Sequence, residues 1–307
     1  MSSTDHNLKF AYVGLGEMGS AMAQNLANWL TEQQHPTPLI VWNRTSSKGR
    51  QLKNVKVAET LEEVAKNANV ILSCLLNDAA VSDSYNQLFE HLPKNNSIIF
   101  CEMSTIAPAL TRELHKRANE LGAGFLATPI FGLPAKARAA ELTIIKAGDK
   151  KLRKVVDPYL IPALGKKSIE LGEDVSEALN MKLTGNCMIT GFAEVVAEGL
   201  TLAAATGVGQ DKALAFIEAM YPNTPLVAYA KKMATNDYNQ VAFHVGGAKK
   251  DVNHIIQLGE DHGLDLQVSK VMRGNMEELE KMKGDKIDVT GIVGVLRTKA
   301  GLDFDAK

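Results

Sequence analysis

Three cysteines in 307 residues, Cys74, Cys101 and Cys187, form no C-x-x-C pair and have no histidine at metal-finger spacing, so neither a disulfide framework nor a structural zinc site is indicated. Net charge is also missing. The 34 Lys and Arg against 35 Asp and Glu leave −1, and without a whole-molecule field neither nucleic acid nor an acidic membrane is an expected partner. No apolar run approaches the ~18 residues of a membrane span. The start, MSSTDHNLKFAYVG, shows neither a charged-then-apolar leader nor an Arg-rich amphipathic stretch, so a cytoplasmic, reducing location is expected. The seven histidines form no triad-like or metal-like arrangement, so no metal is expected, and there is no internal repeat or low-complexity tract.

What remains is ordinary globular material. Hydrophobic residues at 45% and charged residues at 22% exclude a disordered, collagen-like or coiled-coil chain. At roughly 150 residues per domain the length predicts two domains. From Leu8 to about Leu171, short apolar runs alternate with amphipathic stretches, the pattern of β-α-β units. Strands are expected at 10–14, 39–42, 70–72, 97–100, 125–130, 142–148 and 167–172. Helices are expected at Met18 to Leu30, Ala79 to His91 and Pro108 to Leu121, the last capped by Ser104-Thr105. After Gly172 the strand pattern stops. Asp174 to about Thr206 reads as one long helix, apolar on most of its circumference, followed by helices broken at Gly207 to Gly209, Tyr221 to Pro225, Gly246-Gly247 and Gly263. The fold class expected is therefore α/β: a doubly wound, mostly parallel Rossmann-type domain over 1–172, then an all-helical domain over 173–307, joined through the long helix.

The strand FAYVG runs into Gly14-Leu15-Gly16-Glu17-Met18-Gly19 and then into the helical pattern SAMAQNLANWL. In such a strand-turn-helix, Gly14 permits the tight turn and Gly16 lets the backbone approach a pyrophosphate. Gly19 lets helix and strand pack closely, and helix N-terminal amides hold the anion. The second strand ends in Asn43-Arg44-Thr45, followed by Ser46, Ser47 and Lys48. NAD sites usually carry an acidic residue there. Here no carboxylate repels a 2′-phosphate, Arg44 offers a bidentate cation, and Asn43 and Thr45 offer neutral donors, which predicts NADP(H) over NAD(H). Leu75 and Leu76, just past the strand at 70–72, are assigned to the cofactor as well.

GLGEMGSAMAQNL (14–26), the NRT after the second strand, a proline-and-glycine segment at 127–143, Lys182 followed by Asn186, and Lys250-Asp251 resemble, in order and spacing, the β-hydroxyacid dehydrogenases. That family includes 3-hydroxyisobutyrate dehydrogenase and glyoxylate/succinic semialdehyde reductase and is related to 6-phosphogluconate dehydrogenase and the imine reductases. The resemblance implies a Rossmann domain and a helical domain with the active site between them, and homodimers formed through the helical domains. It implies Lys182 as proton donor and acceptor, Asn186 as the residue orienting substrate, and Lys250 with Asp251 closing on cofactor and substrate.

The residues bear on these roles independently. Three and four positions from Lys182 stand Ala178, Leu179, Gly185 and Asn186, so no acidic neighbour on the helix explains a lysine there, and desolvation would favour the neutral amine that proton transfer needs. Asn186 shares its face. The family's substrate segment resembles D-A-P-V-S-G-G; here it reads Ala127-Thr128-Pro129-Ile130-Phe131-Gly132-Leu133-Pro134. Phe131, Gly132 and Leu133 are expected to face substrate, and Phe131 in place of serine weakens the case for a small hydroxy acid. The readings open at this point are an NADPH-dependent reductase or dehydrogenase acting on a hydroxyacid, semialdehyde or bulkier ketone, an imine reductase, and a catalytically silent NADP-binding module.

Overall fold

Every residue of FAYV, VILS and IFCE is buried, and that lack of alternation is what a parallel strand covered on both faces requires. The structure, a computed structural model, describes residues 8–94, 97–238 and 240–306. Its strands β1 (Phe10–Val13), β2 (Leu39–Trp42), β3 (Val55–Val57), β4 (Val70–Ser73), β5 (Ile99–Glu102) and β6 (Gly124–Ala127) form one parallel sheet in the order β3-β2-β1-β4-β5-β6. The register is level at one end. Val13 pairs with Trp42 and Ser73, Ser73 with Glu102, and Glu102 with Ala127, so the loops that follow these strands share one edge. The winding reverses between β1 and β4, which is where an open α/β sheet leaves its ligand crevice.

β3 escapes sequence reading because Val55-Lys56-Val57 is short and turns Lys56 outward at the sheet's edge. The later strands also differ from a single continuous sheet. β7 (Ile130–Phe131), β8 (Leu142–Lys146) and β9 (Gly165–Glu170) form a second, three-stranded sheet, with β7 antiparallel to β8 and β8 parallel to β9. The run FLATPI is interrupted at Thr128-Pro129, and Pro129, lacking an N–H, lies between β6 and β7.

Helices α1 (Glu17–Glu32), α2 (Leu61–Asn67), α3 (Asp78–Glu90) and α4 (Pro108–Glu120) cover the large sheet; α5 (Pro134–Arg138) packs on α1, and α6 (Lys150–Leu160) packs on β6. α1 buries Met22, Ala23, Leu26 and Leu30, the three-and-four spacing of a core-facing stripe. Ser104 and Thr105 do not cap α4, whose N-cap is Ala107 with Pro108 supplying the first turn; the Ser104 hydroxyl is used elsewhere, as shown below.

The chain divides into two compact units, one ending at Lys182 and one beginning at Leu183. Helix α7 (Ser176–Ala205) passes from one to the other. By length and composition alone α7 could cross a membrane; in the second unit its Leu183, Ala193, Val196, Ala197 and Leu200 belong to the core. That unit holds α8 (Gln210–Met220), α9 (Pro225–Ala234), α10 (Val245–Asp261), α11 (Gln267–Lys283) and α12 (Ile292–Lys299). Gly246 and Gly247 do not break a helix but lie in the first turn of α10, where their missing side chains leave room beside Asp285 and Phe243.

Candidate cofactor and active site

The glycine turn is built by close contact. Gly14 has φ +97°, and a Cβ placed on it would fall 2.3 Å from the Cys74 carbonyl oxygen and 2.9 Å from Leu75 Cδ2. A Cβ on Gly19 would fall 2.0 Å from the Gly14 carbonyl oxygen. Both positions require glycine for the protein's own packing. Gly16 is different: a Cβ there would meet nothing within 4 Å, so the space beside it is open to a ligand. Gly16 is also the N-cap of α1 and makes no side-chain cap, which leaves the opening amides at Glu17 and Met18 in the geometry that binds a phosphate. A cradle of this kind, open where a pyrophosphate would approach and closed by backbone elsewhere, fits a dinucleotide.

Asn43 ties the second strand to this turn. Leu15 N–H donates to Asn43 Oδ1 at 2.9 Å, Asn43 Nδ2 donates to the Thr45 carbonyl at 3.1 Å, and Gly14 N–H donates to the Trp42 carbonyl at 2.9 Å. The Leu15 amide and side chain are thereby committed inward, the side chain being buried in the core. Arg44 and Thr45 are exposed, and Arg44 makes no ion pair among the described residues. Leu75 is half-buried against Gly14, while Leu76 stands 75% exposed at the same sheet edge.

Lys182, the last residue of the first unit, is buried on α7 with its ammonium nitrogen 4.2 Å from the centroid of the Phe131 ring. Phe131 ends β7, Gly132 follows with φ +146°, and Leu133 caps α5 with an exposed side chain. The ammonium thus packs on an aromatic face, and a cation held over a ring is stabilised by the ring's quadrupole. Among the described residues no three His, Cys, Asp or Glu side chains group as metal ligands.

The second unit contains its own polar cluster. Asn186 Nδ2 donates to Asp251 Oδ2 at 2.8 Å, and Lys250 Nζ lies 3.1 Å from Asp251 Oδ1. Asn186 and Asp251 are buried, so Asp251 fixes the amide's orientation and is itself charge-compensated by its neighbour. The spacing of Lys250-Asp251 gave no sign that Asp251 would bond Asn186. That pairing brings α10 to α7 and is set by tertiary packing.

Comparison with known proteins agrees with this geometry. Residues 9–172 match the NAD binding domain of 6-phosphogluconate dehydrogenase, and residues 177–296 match the NAD-binding domain of NADP-dependent 3-hydroxyisobutyrate dehydrogenase. The chain is 28% identical to an NADH-dependent oxidoreductase of Aspergillus ustus, over 94% of this chain and 98% of the relative. It is 24% identical to glyoxylate/succinic semialdehyde reductase 1 of Arabidopsis thaliana, over 94% and 99%. In fold it superposes on Mycobacterium tuberculosis 3-hydroxyisobutyrate dehydrogenase with a TM-score of 0.82 at 21% identity, covering 94% of this chain and 99% of the other. The chain is a divergent member of the β-hydroxyacid dehydrogenase family, oxidoreductases that bind a nicotinamide cofactor.

Proposed function

We propose that the protein is an NADPH-dependent reductase that interconverts a carbonyl group and an alcohol on a hydroxyacid, a semialdehyde or a bulkier ketone, with Lys182 as proton donor and acceptor. The observation that carries this reading is the buried lysine on α7, with its ammonium over the Phe131 ring. When bound, the cofactor supplies the hydride. As carbonyl becomes alkoxide, the Lys182 ammonium stabilises the developing charge and delivers a proton to the oxygen; in the reverse direction the neutral amine takes it back. Asn186, one helical turn further on and oriented by Asp251, donates to the substrate. The apolar surface of Phe131 and Leu133 favours a substrate with an apolar body over a small carboxylate.

The preference for NADPH rests on Arg44. The relatives differ in the cofactor they are named for, NADH in the fungal protein and NADP in the matched family model, so the choice lies with this chain's residues. An exposed guanidinium after β2 with no ion pair among the described residues suits a 2′-phosphate. Arg44→Ala is expected to raise KM for NADPH by roughly tenfold, the scale of one charge-assisted hydrogen bond, and to leave KM for NADH unchanged. A wild-type enzyme that prefers NADH would contradict the assignment.

We also infer a homodimer formed through the helical unit. Met188, Phe192, Val195 and Leu202 lie exposed along one face of α7 at helical spacing, an apolar stripe of the kind that marks an interface. Sedimentation equilibrium is expected to give twice the chain mass for the wild type and the chain mass for Val195→Glu; a monomeric wild type would refute it.

A further inference from the structure

Glu102 ends β5 fully buried, yet its hydrogen-bond partners are neutral. Ser73 Oγ donates to Oε2 at 2.6 Å, and the Ser104 backbone N–H donates to Oε1 at 2.6 Å. Behind Ser73, the Tyr85 hydroxyl lies 2.9 Å from Ser73 Oγ. In front, Ser104 Oγ accepts from the Leu75 backbone N–H at 2.7 Å. Leu75 and the Cys74 carbonyl are the groups that close on Gly14. A continuous chain of contacts therefore runs from Tyr85 through Ser73, Glu102, Ser104 and Leu75 to the first glycine of the cofactor turn.

We propose that Glu102 is a positioning residue for the cofactor: through Ser104 it fixes the loop after β4, at Leu75 and Leu76, against the glycine turn, so that this wall of the dinucleotide site is preformed. A buried carboxyl with no cationic partner among the described residues is a costly choice for filling space, and an apolar side chain would serve packing better. Burial raises the Glu102 carboxyl above its ordinary range while the serine hydrogen bonds lower it, and burial raises the Tyr85 hydroxyl well above its own, which keeps it a donor. The two loops so joined follow β4 and β5, beside the switch point where the ligand crevice of such a sheet lies. The proposal depends on nicotinamide-cofactor binding, and holds whether NADPH or NADH is preferred and whatever the substrate.

The test is a fluorescence titration of the full chain with NADPH and with NADH. Ser104→Ala removes the acceptor of Leu75 N–H, and leaving a buried donor unsatisfied is expected to weaken both cofactors about tenfold. Glu102→Ala is expected to weaken them similarly, and the double variant to be no weaker than Glu102→Ala alone, because both residues act through one bond. Glu102→Gln keeps an acceptor for Ser104 N–H and is expected to bind within about twofold of wild type. If Glu102→Ala does not fold, Ser104→Ala together with Glu102→Gln decides. Wild-type affinity in Ser104→Ala, or additive losses in the double variant, would overturn the proposal.

Discussion

Lys182→Met is expected to lower kcat by about 10² or more, the usual scale for losing a general acid, while cofactor affinity stays near wild type. Methionine is the appropriate replacement on structural grounds. The Lys182 ammonium packs on an aromatic face, and a thioether keeps that contact, since sulfur and rings attract. The loss is expected to appear in kcat and in kcat/KM equally, the signature of an interaction made in the transition state. The proposed cofactor cradle is the glycine turn, which the substitution does not touch. Near-normal turnover in this variant would remove Lys182 from the chemistry.

The glycine turn gives the second large effect, because its three glycines are required for two different reasons. In Gly19→Ala the new methyl would lie 2.0 Å from the Gly14 carbonyl oxygen, a backbone atom, with no flexible side chain to yield. Helix α1 must move off the sheet, so both stability and cofactor affinity are expected to fall, the affinity by about 10². In Gly16→Ala the methyl meets no protein atom within 4 Å. The fold is expected to keep its melting temperature while cofactor affinity falls roughly tenfold or more, since the methyl occupies the space of the approaching pyrophosphate. Calorimetry alongside cofactor titration separates the two. Unaltered affinity in Gly16→Ala would mean that the pyrophosphate does not lie there.

The sequence made the order of elements legible because the forces that set it are local. Fully apolar four-residue runs can only be buried strands, and the helices between them start within a residue or two of their expected positions, as at Asp78 and Pro108. Two strand features were hidden. β3 lacks an apolar run because an edge strand needs none, and β7 to β9 leave the main sheet because Pro129 interrupts the run after β6. Gly14 was readable because the backbone itself requires glycine there, and the Asn43-Arg44-Thr45 turn because it directly follows an apolar strand. Glu102, Ser73 and Ser104 were not, since their bonds join residues about 30 positions apart across two strands, a pairing given only by the register Ser73 to Glu102. The bond from Asn186 to Asp251 is hidden for the same reason, being a tertiary contact between α7 and α10.

The measurement closest to the central claim is the oxidation of NADPH by the wild-type protein and Lys182→Met, side by side, with a panel of semialdehydes, ketones and cyclic imines. Turnover of at least one carbonyl substrate by the wild type, reduced about 10²-fold in the variant with NADPH binding retained, is the predicted result. Turnover confined to the imines, or NADPH binding with no turnover of any compound in the panel, would contradict it.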